Sequence, residues 1–108
     1  MPDRKRHNLT SNRILQRLSD EDWAMLAPDL FDVELPLRKH LESPNTCIED
    51  VYFVGSGYAS VVAKGPRDFI VEVGLIGREG VTGLAVIMGT DRSPHDTFVQ
   101  GAGTAQRI

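Results

Sequence analysis

The segment from Gly77 to Gly89 is the part of the sequence whose residue types and spacing could do chemistry. It is bounded by glycines, contains two more at Gly80 and Gly83, and includes a stretch compatible with one short helix. The first turn of a helix leaves backbone N–H groups unpaired, and these groups together with the helix dipole favour an anion. Glycines at such a turn permit positive φ and a close backbone approach. The segment therefore predicts an anion-binding turn, while glycine-rich turns without a ligand share the same pattern.

The histidines and the single cysteine are the other residues with chemistry to offer. None of His7, His40 and His95 has the His-x-His or His-x3-His spacing of a metal-binding barrel, and no nucleophile–base pattern is recognisable. One cysteine, Cys47, excludes an intrachain disulfide and a Cys-rich zinc or iron–sulfur site. We therefore predict no catalytic residue, no metal and no enzymatic activity.

Length and composition indicate one globular domain in a reducing, cytoplasmic setting. The chain has 108 residues, 41% of them hydrophobic and 25% charged, which is too apolar for a disordered protein. The longest strictly apolar run, Leu84 to Met88, is far shorter than the ~20 residues of a membrane span. The basic start of the chain lacks the apolar segment of a secretory signal.

Charge divides the chain into two unequal parts. Residues 1–18 contain five basic groups and one acidic group, for a net charge of +4, whereas residues 19–108 contain seven basic and fourteen acidic groups, for −7. A body of this charge is expected to repel a phosphate backbone. We predict that residues 1–8 form a basic, solvated N-terminal arm.

Hydrophobic periodicity places a helical pair before a series of short strands. Apolar spacing from Leu9 to Ala27 predicts two short helices, with Ser19 as an N-cap and Trp23 packed against the strands. Short strands separated by glycine-containing turns are typical of an antiparallel barrel or sandwich. The predicted strands are Val33–Leu35, Ile48–Val54, Tyr58–Lys64, Phe69–Leu75, Thr97–Gln100 and Thr104–Ile108.

This order of elements resembles the cyclic-nucleotide-binding domain, and in sequence detail the effector domain of Crp/Fnr-type bacterial transcription regulators. Four segments carry the resemblance, namely Asn12–Leu15, Val33–Leu37, Val51–Phe53 and, most diagnostically, Val71–Gly80. The resemblance implies a mainly β fold over residues 9–108, a double-stranded antiparallel β-barrel of jelly-roll type with a short N-terminal helical pair. It also implies that the chain stops before the dimer helix and the DNA-binding domain of the family.

The same resemblance supplies a candidate phosphate cassette in which family positions are altered. Members that bind cyclic nucleotides have a Gly-Glu pair, whose Glu holds the ribose hydroxyl, and a later Arg followed by a small hydroxyl residue. Here Gly83 matches the glycine, Leu84 stands at the Glu position, and leaving the ribose hydroxyl unpaired would cost roughly 1–3 kcal/mol. The remaining candidate ligand-binding residues are Ala85, the early pair Arg92 and Ser93, and His95, since alignment on the strand that follows puts His95 or Asp96 at the arginine position.

We therefore expect an allosteric, ligand-sensing regulatory domain that does not bind cAMP or cGMP in the usual manner. No cofactor is expected, and the partners implied are a small-molecule effector, which is a cyclic nucleotide or another small anion, and a second copy in a homodimer. DNA would be reached only through a separate DNA-binding domain. Two alternatives stay open: a stand-alone interaction or dimerisation module with an empty pocket, and a cupin-like enzyme.

Overall fold

Two short helices and seven strands make up the described part of the protein. The computed structural model describes residues 10–83, 86, 89, 90, 92 and 94–108. The predicted arm at residues 1–8 and the candidate residues Leu84, Ala85 and Ser93 lie outside these residues. The elements are α1 (Arg13–Gln16), α2 (Asp20–Leu26), β1 (Phe31–Leu35), β2 (His40–Glu42), β3 (Tyr52–Val54), β4 (Tyr58–Lys64), β5 (Ile70–Ile76), β6 (Asp96–Gly101) and β7 (Gly103–Arg107), with 3-10 turns at Ala27–Asp29 and Pro66–Asp68.

The helical pair forms where the sequence predicts it, and side-chain caps begin both helices. The Asn12 Oδ1 accepts the amides of Ile14 and Leu15 at 3.0 and 3.1 Å. The Ser19 Oγ accepts the amide of Asp22 at 3.1 Å. Each cap satisfies amides that the first turn leaves unpaired, and the three acidic residues that open α2 suit the positive end of its dipole.

Asn12 also fastens the helical pair to the strands. Its side chain is 1% exposed, and its Nδ2 donates to the carbonyls of Val54 and Gly80, both at 2.8 Å. The buried Thr10 makes a second contact, from its Oγ1 to the Gln106 Oε1 of β7 at 2.5 Å. Two side chains just before α1 therefore fix the position of the helices on the first sheet.

The strands pair in two antiparallel sheets rather than in one closed barrel. The first sheet has the order β1-β7-β3 and the second has the order β2-β6-β4-β5. The antiparallel, mainly β prediction is confirmed, but closure of the barrel is not found among the described residues. Between β1 and β2 the chain passes Pro36, which has no amide hydrogen, and Arg38 with a φ of 69°. This turn moves the chain from the first sheet to the second.

The buried core lies between the two sheets. Leu35 of β1, Val54 of β3 and Ala105 of β7 meet Val99 of β6 there. All four are at most 3% exposed. Gly83 and Thr97 are buried as well, and Glu42, at the end of β2, is half-buried.

Strand boundaries differ most from the predicted ones at β2 and β3, and β1 begins two residues earlier than predicted. The predicted strand from Ile48 begins four residues too early, since β3 covers only Tyr52–Val54. Strand β2 was not predicted, because three residues are too few to show an alternating pattern. Strand β4 has the predicted bounds, and β5, β6 and β7 are displaced by one or two residues.

Candidate functional site: the interior turn at Gly83

Gly83 begins a turn that is anchored to the first sheet. Just before it, the Thr82 amide donates to the Tyr52 carbonyl at 3.0 Å, and the Tyr52 amide donates to the Thr82 Oγ1 at 2.9 Å. Val81 forms an isolated antiparallel bridge with Phe53. Beyond Gly83, the Val86 amide donates to the Gly83 carbonyl at 3.0 Å. The backbone at Val81 and Thr82 is therefore held against β3, and the chain turns at Gly83.

Glycine is required at this turn for two reasons. The φ of Gly83 is +76°, in the left-handed region that residues with a Cβ disfavour. A Cβ built at this position would also lie 2.6 Å from the Cγ2 of Val51, which is shorter than any normal contact. The sequence argument for positive φ and close approach holds at Gly83.

A carboxylate from β2 contacts this turn. The Oε1 of Glu42 accepts the backbone amide of Gly83. The Oε2 of Glu42 accepts the hydroxyl of Thr97, on β6, at 3.5 Å. Gly83 and Thr97 are buried and Glu42 is half-buried, so one carboxylate joins the turn to the second sheet.

The predicted arginine and histidine of the cassette follow the interior turn along the chain. The Nη1 of the exposed Arg92 donates to the Asn45 carbonyl at 3.0 Å, and Arg92 forms an isolated bridge with Cys47. His95 is half-buried immediately before β6. Of the predicted site residues, Gly83 contacts Glu42 at the turn.

Within the described residues, no group of three or more His, Cys, Asp or Glu side chains lies together as a metal site would require. The cupin-like alternative therefore has no donor set in this part of the chain.

No helix formed by the described residues is long and apolar enough to cross a membrane.

Comparison with solved structures identifies the architecture. No protein-family model matches the sequence, and no curated protein matches it. A regulatory subunit of a cAMP-independent protein kinase A from Trypanosoma brucei, as a mutant bound to cAMP, superposes with a TM-score of 0.80 at 16% identity, covering 99% of this chain and 40% of that chain. The N-terminal domain of a transcriptional regulator from Streptomyces coelicolor A3(2) superposes with a TM-score of 0.72 at 15% identity, covering 90% and 69%. A cyclic-nucleotide-binding-like protein from Brucella abortus gives a TM-score of 0.67 at 14% identity, covering 100% and 90%.

The chain has the cyclic-nucleotide-binding fold. The fold expected from the sequence resemblance is thereby confirmed. Because the matching proteins include kinase regulatory subunits as well as transcriptional regulators, the fold does not single out the Crp/Fnr type. The chain spans about 40% of the length of the kinase subunits it matches.

In this cyclic-nucleotide-binding fold, Glu42 is the site residue that sequence reasoning missed. It stands at the end of a strand that was not predicted, 41 residues away from Gly83 along the chain. Neither its residue type nor its spacing distinguishes it from the other acidic residues. Only the pairing of β2 with β6 brings its carboxylate to the turn.

Tyr52, beside the turn, has an altered acidity. Burial, followed by the nearby Asp50 carboxylate, raises the pKa of the Tyr52 hydroxyl, while Arg107 opposes the rise by its charge and a hydrogen bond. The Lys39 Nζ lies 5.7 Å from the centre of the Tyr52 ring. The phenol is therefore held in its neutral form over a wider pH range than an exposed tyrosine.

Proposed function

We propose that this chain is the effector-sensing regulatory domain of a Crp/Fnr-like transcription regulator, without enzymatic activity, and that it does not hold cyclic nucleotides in the usual manner. The observation that carries the second part is the position of Arg92. Its guanidinium donates to the Asn45 carbonyl on an exposed loop, so the arginine proposed to neutralise a phosphate is engaged by the backbone of its own chain. Loss of a charge-assisted phosphate contact weakens binding strongly.

Similar structures support a sensor of some other molecule. One match, at a TM-score of 0.79 and 14% identity, is a regulatory subunit of a cAMP-independent protein kinase A from Trypanosoma cruzi bound to guanosine, which is a nucleoside without a phosphate. The Streptomyces coelicolor match is a transcriptional regulator. The first match supports a site that responds to a small molecule without a cyclic phosphate, and the second supports a role in transcription regulation.

The proposed mechanism is a population shift at the interior turn. A ligand held at this turn would favour one of two states of the domain, and a neighbouring domain would respond to that state. We assign no DNA contact to the body of this domain, because residues 19–108 carry a net charge of −7. DNA binding would belong to a separate domain of the regulator.

Calorimetric titration of the chain with cAMP and cGMP tests this proposal. We expect no binding at micromolar ligand concentrations, because Leu84 cannot hold the ribose hydroxyl and Arg92 already donates to the Asn45 carbonyl. Micromolar or tighter binding of cAMP would contradict the proposal. A thermal-shift series with nucleosides then searches for the effector, since a ligand that binds the folded state raises the melting temperature.

The exposed apolar surface of β5 favours a second candidate, an interaction or dimerisation module. Ile70 and Leu75 are 66% and 62% exposed, and Val71 and Val73 are also exposed. Strand β5 is an edge of the second sheet among the described strands. An exposed apolar edge strand is a template for pairing with another chain. A ligand-independent dimer in light scattering would favour this candidate over the sensor.

A further inference from the structure

We infer that the carboxylate of Glu42 takes the place of a bound anion at the interior turn. In this position it makes the site select against anionic ligands. The inference rests on the proposed function, because it treats the turn at Gly83 as part of the effector site. It assigns the specificity of that site to a residue outside the predicted cassette.

The contacts of Glu42 are those that a bound anion would make. One carboxylate oxygen accepts the Gly83 amide, and the other accepts the Thr97 hydroxyl. A backbone amide at the start of such a turn and a nearby hydroxyl are the donors that an oxyanion uses. Hydrogen bonds to an ionised carboxylate are stronger than those between neutral groups, so the carboxylate competes well with an incoming ligand.

An irregularity in the strand pairing places this carboxylate at the interior. His40 pairs with Phe98 and Glu42 pairs with Thr97, so the register shifts between the two residues of β2. The side chain of His40 pairs with Asp96 at 2.7 Å and is 56% exposed. A bulge re-aims a side chain relative to regular alternation. Here the bulge lies between the two ends of β2. His40, at one end, pairs with Asp96 at the surface, and Glu42, at the other end, contacts the buried Gly83.

A ligand phosphate at this turn would meet a like charge and an amide that is already engaged. Repulsion between two anions a few ångströms apart is stronger in a partly buried site than in water. Building an unfavourable charge against one ligand class is a general route to specificity. The ligand class that fits is therefore an uncharged or cationic molecule that donates hydrogen bonds to the Glu42 carboxylate.

Substitution of Glu42 tests the inference, with cAMP and inorganic phosphate as the probes. In Glu42→Gln the shape is kept and the charge is removed, whereas in Glu42→Ala the Gly83 amide is released as well. Calorimetry is expected to give anion affinities in the order E42A, E42Q, wild type, with about a tenfold or larger gain for E42A because a like charge is lost. The matched control is Glu34→Gln, which removes an exposed carboxylate from β1 and should leave anion affinity unchanged.

A second readout follows the contact itself. The amide resonance of Gly83 in a nitrogen–proton correlation spectrum should move in E42Q and E42A, but not in E34Q. Anion affinities that are equal in the wild type and both Glu42 variants would overturn the inference, as would an unmoved Gly83 resonance.

The two proposals fail in different ways. Tight cAMP binding by the wild-type chain would overturn the proposed function. Absence of binding by the wild type together with no gain in either Glu42 variant would overturn the role of Glu42 alone. A control variant that gains as much as E42A would assign the effect to overall charge and also overturn that role.

Discussion

At Tyr52, the environment of a single hydroxyl sets how stability should respond to alkaline pH. Because burial raises its pKa above the ordinary value of 10.0, the neutral phenol is favoured in the folded state. Its contribution to stability is complete below pH 10.0 and is lost as the pH rises through the folded-state pKa. We expect the free energy of unfolding to fall above pH 10.0 in wild type, measured by urea denaturation.

The matched variant for this effect is Tyr52→Phe, which keeps the ring and removes the titrating hydroxyl. The other tyrosine, Tyr58, is present in both proteins and cancels in the comparison. The variant should show a shallower decline in stability above pH 10.0 than wild type. Parallel declines would show that Tyr52 does not couple folding to pH in this range.

At the scale of elements, the attachment of the helical pair depends on Asn12. Its oxygen caps α1 and its nitrogen donates to carbonyls of Val54 and Gly80, so one buried side chain serves both local and long-range structure. Removal of a helix cap costs about 0.5–2 kcal/mol, and an unsatisfied buried polar group costs about 1–3 kcal/mol. We expect Asn12→Ala to lower the free energy of unfolding by about 2–4 kcal/mol in urea denaturation.

The control for that change is the exposed cap of α2. Ser19→Ala removes a similar acceptor from the first turn of a helix but breaks no contact with the strands among those described. It should cost about 1 kcal/mol. If Asn12→Ala costs no more than Ser19→Ala, the contacts of Asn12 to Val54 and Gly80 do not stabilise the fold.

For the whole molecule, the second candidate function, an interaction or dimerisation module, predicts self-association through the exposed edge at β5 at high concentration. Apolar side chains on an unpaired edge favour pairing with a second copy, and a charge introduced there opposes it. We expect Ile70→Lys to raise the concentration needed for a dimer by about tenfold or more in light scattering. Met25→Lys, at an exposed apolar residue of α2, is the matched control and should leave association unchanged. A wild-type chain that stays monomeric at every concentration would contradict this prediction.

Comparison of the predicted and observed elements shows which helix and strand boundaries can be predicted from the sequence. The helix caps and the strand Tyr58–Lys64 were predictable because capping residues and β-branched runs act locally. The start of β3 was not predictable, because Ile48 and Cys47 are compatible with a strand yet lie before its paired part. Pairing with another strand, rather than local preference, sets where such an element begins.

The sequence by itself determined the helical pair and the antiparallel β architecture, since both depend on local conformational preference. Only the tertiary structure decided the division into two sheets and the meeting of Glu42 with Gly83, 41 residues apart along the chain. Strand register, which depends on contacts across the whole fold, brought that carboxylate to the turn and placed Arg92 at an exposed loop. At the turn that was predicted to bind an anion, the Gly83 amide therefore donates to a carboxylate of the same chain, that of Glu42.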